Sequence, residues 1–169
     1  MATTNRTPIV LDRDAGEALW FNNDLLTIKA TGAETAGAVL LLEEIARRGK
    51  VTPLHSHPAE DESFYVIEGE VLLHLDGTAR TLGTGGFASV PRAVPHAYLV
   101  TSEVARTLIV VTPGDGMMES FFRDAGEPAT SRALPPAGPL DIGRIAGAAE
   151  RTGAVDILGP PPFDAPPDH

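Results

Sequence analysis

Cysteine is absent from the 169 residues. That excludes disulfides, thiolate-ligated metal and a cysteine nucleophile. It leaves the compartment open, because a cysteine-free chain persists in either redox environment. Basic charge is also scarce: 13 Lys and Arg stand against 23 Asp and Glu, a net of -10. A nucleic-acid surface needs clustered cations. The nearest approach to a cluster is Arg47, Arg48 and Lys50, so nucleic acid and anionic membrane are poor partners. Long apolar runs are missing as well. "AVLLL" and "TLIVV" fall far short of a bilayer span, and the opening "MATTNRTPIVLDRD" lacks the apolar core of a signal peptide. The expected setting is soluble and cytoplasmic.

What is present is a hydrophobic content of 43%, enough for one packed core in a chain of this length. Seventeen glycines and fifteen prolines punctuate the chain at short intervals, the pattern of an all-β domain with many turns. "DLLTIKATG", "AGAVLLLEEIARRG", "SFYVIEGEVLLHLDG", "ARTLGTGGFASVP", "PHAYLVTS" and "ARTLIVVTPG" read as strands between turn residues. Ala38 to Arg48 contains good helix formers and reads as helix or strand in isolation; the surrounding strands favour strand. The joints at Glu68-Gly69 and Asp76-Gly77 predict an antiparallel meander through the middle of the chain. Beyond Gly114, Met117, Met118, Phe121 and Phe122 fall at helical spacing up to Gly126, and Asp141 opens a second helix candidate. The expected organisation is N-terminal strands over 1–35, a barrel core over 36–113, a helical extension over 114–158 and a proline-rich tail over 159–169.

The chemistry-bearing stretch is "GKVTPLHSHPAEDESFYVIEG". On a strand, residues two apart face the same side, so His55 and His57 offer two imidazoles to one face. Glu62 opens the next strand and can fold back toward them. Imidazole with carboxylate suits a divalent first-row metal: Fe, Mn, Co, Ni, Cu or Zn. His96 lies in a separate strand after a turn bracketed by Pro91 and Pro95. Glu60 and Asp61 read as a solvated turn leading to Glu62. His74 and His169 lack a partner at ligand spacing and are assigned surface or satisfied roles.

The spacing Gly49-x5-His55-x-His57-x4-Glu62-x6-Gly69, followed by Gly85-x5-Pro91-x-Ala93-x2-His96, resembles the two cupin motifs. The second motif departs at Ala93, where glycine is usual, and at Val100, where asparagine is usual. The resemblance implies a jelly-roll β-barrel with one divalent metal held by His55, His57, Glu62 and His96, with positions left open for substrate. Further segments, among them "EDESFYVIEGE", the Met- and Phe-bearing helix and the closing "VDILGPP", resemble bacterial single-cupin proteins related to quercetin (flavonol) dioxygenases. That likeness implies dioxygen chemistry on a flavonol-like aromatic substrate, with Glu62 as ligand and base, and a homodimer. A non-redox cyclase, isomerase or lyase, or a non-catalytic binding module, are the alternative uses of the same site. Strand parity places Phe64 and Val66 with Glu62, and Tyr98 and Val100 with His96. Together with Phe87, Met118 and Phe122 these form the expected substrate pocket, the two helix residues acting either as a lid or as the seat of the helix on the barrel.

Overall fold

The computed structural model describes residues 7–163. Its strands are β1 (Glu17–Phe21), β2 (Asp24–Ala30), β3 (Leu40–Arg47), β4 (Leu54–Ser56), β5 (Asp61–Glu68), β6 (Glu70–Leu75), β7 (Thr78–Gly83), β8 (Phe87–Val90), β9 (His96–Val100) and β10 (Val104–Thr112). Helix α1 (Met117–Ala125), the short β11 (Glu127–Pro128), helix α2 (Ile142–Thr152) and β12 (Asp156–Gly159) follow. The strands form two antiparallel sheets, a jelly roll. One has the order β11-β1-β2-β3-β10-β5-β8 and the other β12-β4-β9-β6-β7.

Alternation builds the core between the sheets. Leu40, Leu42, Glu44 and Ala46 are the inward set of β3, so the helix-prone composition of this segment yields to the strands on either side of it. Leu26, Val66, Val90, Val100 and Val111 are each at most 2% exposed. At roughly 25 cal/mol per Å² of apolar surface, such side chains each contribute about 1.5–3 kcal/mol on burial.

The expected meander is corrected. Only β6 and β7 form a hairpin between sequence neighbours in this region, while β4, β5, β8, β9 and β10 alternate between the two sheets. Gly69 marks one crossing. It has φ of 84°, and a Cβ there would lie 2.3 Å from the Val104 carbonyl oxygen, so only glycine lets β5 pass into β6.

Both helices start and stop where expected. The Asp115 carboxylate accepts from the Met117 amide at 3.1 Å, and Gly126 ends α1. Asp141 caps α2 by accepting from the Arg144 amide at 2.9 Å, and Gly153 ends it with φ of 67°. Phe21, Phe121 and Phe122 pack edge to face, with centroids 5.4–5.9 Å apart, and so fasten α1 to the barrel. A strand was not expected in the last part of the helical extension. Yet β12 returns to pair with β4, placing Ile157 opposite His55. No helix among the described residues is long and apolar enough to cross a membrane. His169 lies outside the described residues.

Candidate metal centre

Strands from both sheets deliver the four expected side chains to one place. His55 lies on β4 and His96 pairs with it from β9. His57 follows β4, and Glu62 enters from β5 of the other sheet. The imidazole centroids are 4.2 Å apart for His55 and His96, 5.1 Å for His55 and His57, and 5.2 Å for His57 and His96. One ligand atom from each of the four residues lies within 4.8 Å of all the others.

The orientation of the rings is set by the backbone. Nδ1 of His55 meets the Pro53 carbonyl at 2.9 Å, Nδ1 of His57 meets Ala154 at 3.1 Å, and Nδ1 of His96 meets Val94 at 3.0 Å. A carbonyl only accepts, so each Nδ1 carries a proton, and in the neutral ring, the form a metal ligates, it is Nε2 that keeps the lone pair. Nε2 of His57 and of His96 lie 3.2 and 3.0 Å from the same Glu62 oxygen, Oε2. Three lone pairs and a carboxylate thus converge, with outer contacts that fix the tautomer a divalent metal requires. The donor set fits such an ion.

Electrostatics separate the rings in the ion-free chain: His55 favours the neutral form, whereas Glu62 favours a proton on His57, which an arriving metal ion would displace. Burial, together with the neighbouring His96 and His57, pushes His55 down to about 3, so its imidazole is neutral at ordinary pH. Burial would also pull His57 down, but the Glu62 carboxylate overrides it and holds His57 above its usual value. Glu62 is buried, which would raise it, yet the charge and hydrogen bond of His57 keep it well below the usual carboxylate range.

A small pocket adjoins the cluster. His55, His57 and Glu62 line it, as do Glu44, Thr52 and Tyr98. The rest is apolar, dominated by Phe21, Ile109, Met118, Phe121, Phe122 and Ile145, except for the side chain of Asn22. Of the side chains expected here, Tyr98, Met118 and Phe122 line the space. Met118 and Phe122 are also buried core residues, so one helix face both seats α1 and closes the pocket. Phe64 stands behind the lining, its ring 6.3 Å from His96 and 5.8 Å from Tyr98. Val66 and Val100 lie in the core without reaching the pocket.

Two expectations are corrected. Phe87 is 63% exposed and pairs with Tyr65 on the outer face. Burial of Val90 fixes the parity of β8, which turns Phe87 outward. Glu60 is not part of a solvated turn but only 1% exposed. Burial and the nearby Asp115 carboxylate raise it to about 7. Asp61 does remain at the surface, paired with Arg92 at 3.1 Å. His74 is half-buried, its ring edge-on to Phe163 at 6.3 Å.

A second buried polar cluster was not foreseen. The Lys50 ammonium lies 2.8 Å from Asp24 Oδ2 and also donates to Glu44 Oε1 and to the Tyr98 hydroxyl. The Tyr98 hydroxyl in turn donates to Glu44 Oε1 at 2.5 Å. Burial opposes the charge on Lys50, but Asp24 and Glu44 hold it above its usual value. Burial would raise Glu44 and Lys50 lowers it, with a net downward shift. Burial, reinforced by Glu44, drives Asp24 well above the usual range. Only inward parity carried a signal for this cluster: Asp24 shares a face with Leu26 and Ile28, and Glu44 with Leu40 and Leu42.

Residues 41–112 match the cupin domain family. Over 128 residues, 76% of the chain, it is 30% identical to a quercetin 2,3-dioxygenase of Bacillus subtilis (strain 168). The match spans 37% of that protein's length. In structure the chain is similar to an RmlC-like cupin from Shewanella frigidimarina, with a TM-score of 0.57, 16% identity and coverage of 66% of this chain and 96% of the other. It is also similar to the polyketide cyclase RemF from Streptomyces resistomycificus, with a TM-score of 0.54, 19% identity and coverage of 67% and 94%.

Proposed function

Residues 41–112 make this chain a cupin-domain protein, and from that premise we propose that it is a metal-dependent enzyme, a dioxygenase acting on a flavonol-like or other enolisable aromatic substrate. The observation that carries the reading is the set of three Nδ1–carbonyl contacts, which leaves the Nε2 atoms of His55, His57 and His96 free beside Glu62. A divalent first-row ion bound there supplies Lewis acidity and, if redox-active, electrons for dioxygen.

The chain's own residues do the rest. The aromatic and aliphatic wall of Phe21, Ile109, Phe121 and Phe122 binds a flat apolar ring system. The same side chains exclude water from the reacting atoms. Glu62 borders the pocket and takes the proton of the substrate hydroxyl that enters beside it. His57 Nε2 and His96 Nε2 both approach the same oxygen of Glu62, at 3.2 and 3.0 Å, so the carboxylate is aimed at the point where the imidazoles converge. Because the free space is small, a ring-sized ligand enters as α1 and its phenylalanines give way. Oligomeric assembly as a homodimer and a cytoplasmic setting remain part of this proposal. The likeness to the Bacillus quercetin 2,3-dioxygenase supports the choice of substrate class.

The test is oxygen uptake. Protein loaded in turn with Fe, Mn, Co, Ni, Cu or Zn is given quercetin in an oxygen electrode. Uptake with at least one redox-active ion and none in the stripped protein is expected; no uptake with any of them overturns the dioxygenase. A non-redox cyclase or lyase is the second reading. It is favoured by Glu44 and Tyr98 in the pocket wall, polar groups that dioxygen chemistry does not itself require.

A further inference from the structure

Lys50, Glu44, Asp24 and Tyr98 are all buried, and none is more than 9% exposed. Burying ions costs several kcal/mol apiece, and an apolar replacement of such a group is often neutral or stabilising. Core packing alone therefore gives no reason for this cluster. Its position suggests one: Glu44 and Tyr98 face the same pocket as His55, His57 and Glu62, while Lys50 and Asp24 stand behind them.

Counting donors and acceptors shows what the wall offers a ligand. An ammonium has three N–H donors and no acceptor. Those of Lys50 are directed to Asp24, Glu44 and the Tyr98 hydroxyl. The one hydroxyl donor of Tyr98 goes to Glu44. The donors of the cluster are thus spent internally. What Tyr98 and Glu44 keep is acceptor capacity: a second lone pair on the Tyr98 oxygen and the unspent lone pairs of the Glu44 carboxylate; the neighbouring Thr52 hydroxyl accepts from the Tyr98 amide and adds one O–H to the same lining. The one cation is matched by Glu44, with Asp24 beside it, so the wall has no positive charge to give an anion.

We propose that Tyr98 and Glu44 form a second anchoring point in the metal pocket, a pair of acceptors that selects substrates presenting a neutral hydroxyl at a distance from the group held by the metal cluster. Tyr98 and Glu44 are specificity-determining residues; Lys50 and Asp24 are positioning residues that hold both acceptors in place. The wall favours polyhydroxylated ring systems. It disfavours carboxylates, phosphates and ligands whose only polar groups there are carbonyls or ethers. This deepens the proposed function and rests on the same pocket being the substrate site.

The test uses the full chain loaded with zinc, which does not turn over with oxygen, and follows binding by the absorption of the ligand. Three probes are titrated: quercetin, unsubstituted flavonol, and a quercetin derivative in which every hydroxyl but the chelating one is methylated. Wild type is expected to bind quercetin about tenfold or more tighter than either comparator, the scale of one hydrogen bond to a charged group. In Tyr98→Phe that preference falls below about threefold, while the affinity for unsubstituted flavonol stays within about threefold of wild type. A merely structural role for Tyr98 would weaken all three probes alike. If Tyr98→Phe does not fold, Glu44→Gln, which places an N–H donor in the wall, is expected to shift the preference toward the methylated derivative. A quercetin preference unchanged by the variant that folds overturns the wall. So does equal or tighter binding of the methylated derivative by wild type. Oxygen uptake with a redox-active ion is scored in parallel: uptake without a variant-dependent preference removes the wall and keeps the dioxygenase. A preference without uptake keeps the wall and removes the dioxygenase.

Discussion

The histidine cluster and the lysine cluster border the same pocket and orient their polar atoms in different ways. The histidines are held from outside by the carbonyls of Pro53, Val94 and Ala154, and their Nε2 lone pairs are left over. The lysine cluster is held from inside, each donor directed to another member of the set. Backbone anchoring leaves coordination capacity for a ligand that arrives later. Mutual anchoring leaves a rigid, nearly self-satisfied surface. The first arrangement suits an ion, and the second suits a hydroxyl. The two clusters should therefore fail differently when a member is removed.

Removing a member of the histidine cluster should have the largest effect on the pocket and a small effect on the fold. His96→Ala and Glu62→Gln are expected to lower metal affinity by well over about 100-fold, since loss of even an outer contact typically costs 10–100-fold. Metal analysis after dialysis reads this directly. Retention of wild-type metal content by either variant would remove that residue from the ligand set. Removing Lys50 should do the reverse. Lys50→Met leaves Glu44 and Asp24 buried without their cation, and breaking a buried ion pair in this way costs about 3–5 kcal/mol. Urea unfolding at neutral pH measures it. The triple variant Lys50→Met, Glu44→Leu, Asp24→Leu should recover most of the loss, because the penalty comes from the stranded charges. If Lys50→Met alone is as stable as wild type, the cluster is not electrostatically coupled.

The two clusters also differed in how far the sequence disclosed them. His55 and His57 are adjacent on one strand and Glu62 follows after a short turn, so local spacing carries most of the site. His96 needed the second motif. The lysine cluster is drawn from β2, β3, the segment before β4, and β9. No short window contains it, and its sole trace is a charged residue on an otherwise apolar strand face. Glu60 was misread because a run of acids looks solvated, whereas the turn folds under α1 near Asp115. Phe87 was misread because parity was counted without Val90 to fix it. The strand order was hidden for a similar reason: a glycine joint between two strand-like runs does not say whether the chain turns back in one sheet or crosses to the other. The C-terminal contribution, Ala154 at His57 and β12 beside β4, depends on a long-range return that helix and turn signals do not reveal.

Acid should destabilise the metal-stripped protein through the histidine cluster. His55 is held down to about 3. The unfolded chain therefore takes up a proton near pH 6.5 that the folded chain refuses, and stability falls as pH drops from about 6.5 toward 3. Glu62, also depressed in the folded state, contributes in the same direction below about pH 4.5. His57 works against this, since its folded value is raised. A loss on the order of 3 kcal/mol between pH 6.5 and pH 4 is expected from His55 alone. Urea midpoints across that range test it. His55→Gln, which cannot titrate, should flatten the slope, and an unchanged slope would assign the acid sensitivity elsewhere.

The smallest expected effect concerns the turn between β8 and β9, inside the second motif. Ala93 stands where the cupin pattern has glycine, and its φ is 64°, in the left-handed region that costs a residue with a Cβ about 1–2 kcal/mol. The turn persists because its amide donates to the His57 carbonyl at 2.7 Å. The strained residue is thus tied to the backbone of a histidine in the metal cluster. Ala93→Gly relieves the strain but gives the unfolded chain more freedom, which offsets about 0.5–1 kcal/mol. A net gain of about 0.5 kcal/mol is expected, read as a small rise in urea midpoint, with metal affinity within about threefold of wild type. The same substitution should leave the Lys50 cluster untouched, so Lys50→Met should cost the same in either background. A loss of metal affinity in Ala93→Gly would show instead that the stiffness of alanine at this turn helps hold His57 in register, and that the histidine cluster draws its preorganisation from strain as well as from backbone carbonyls.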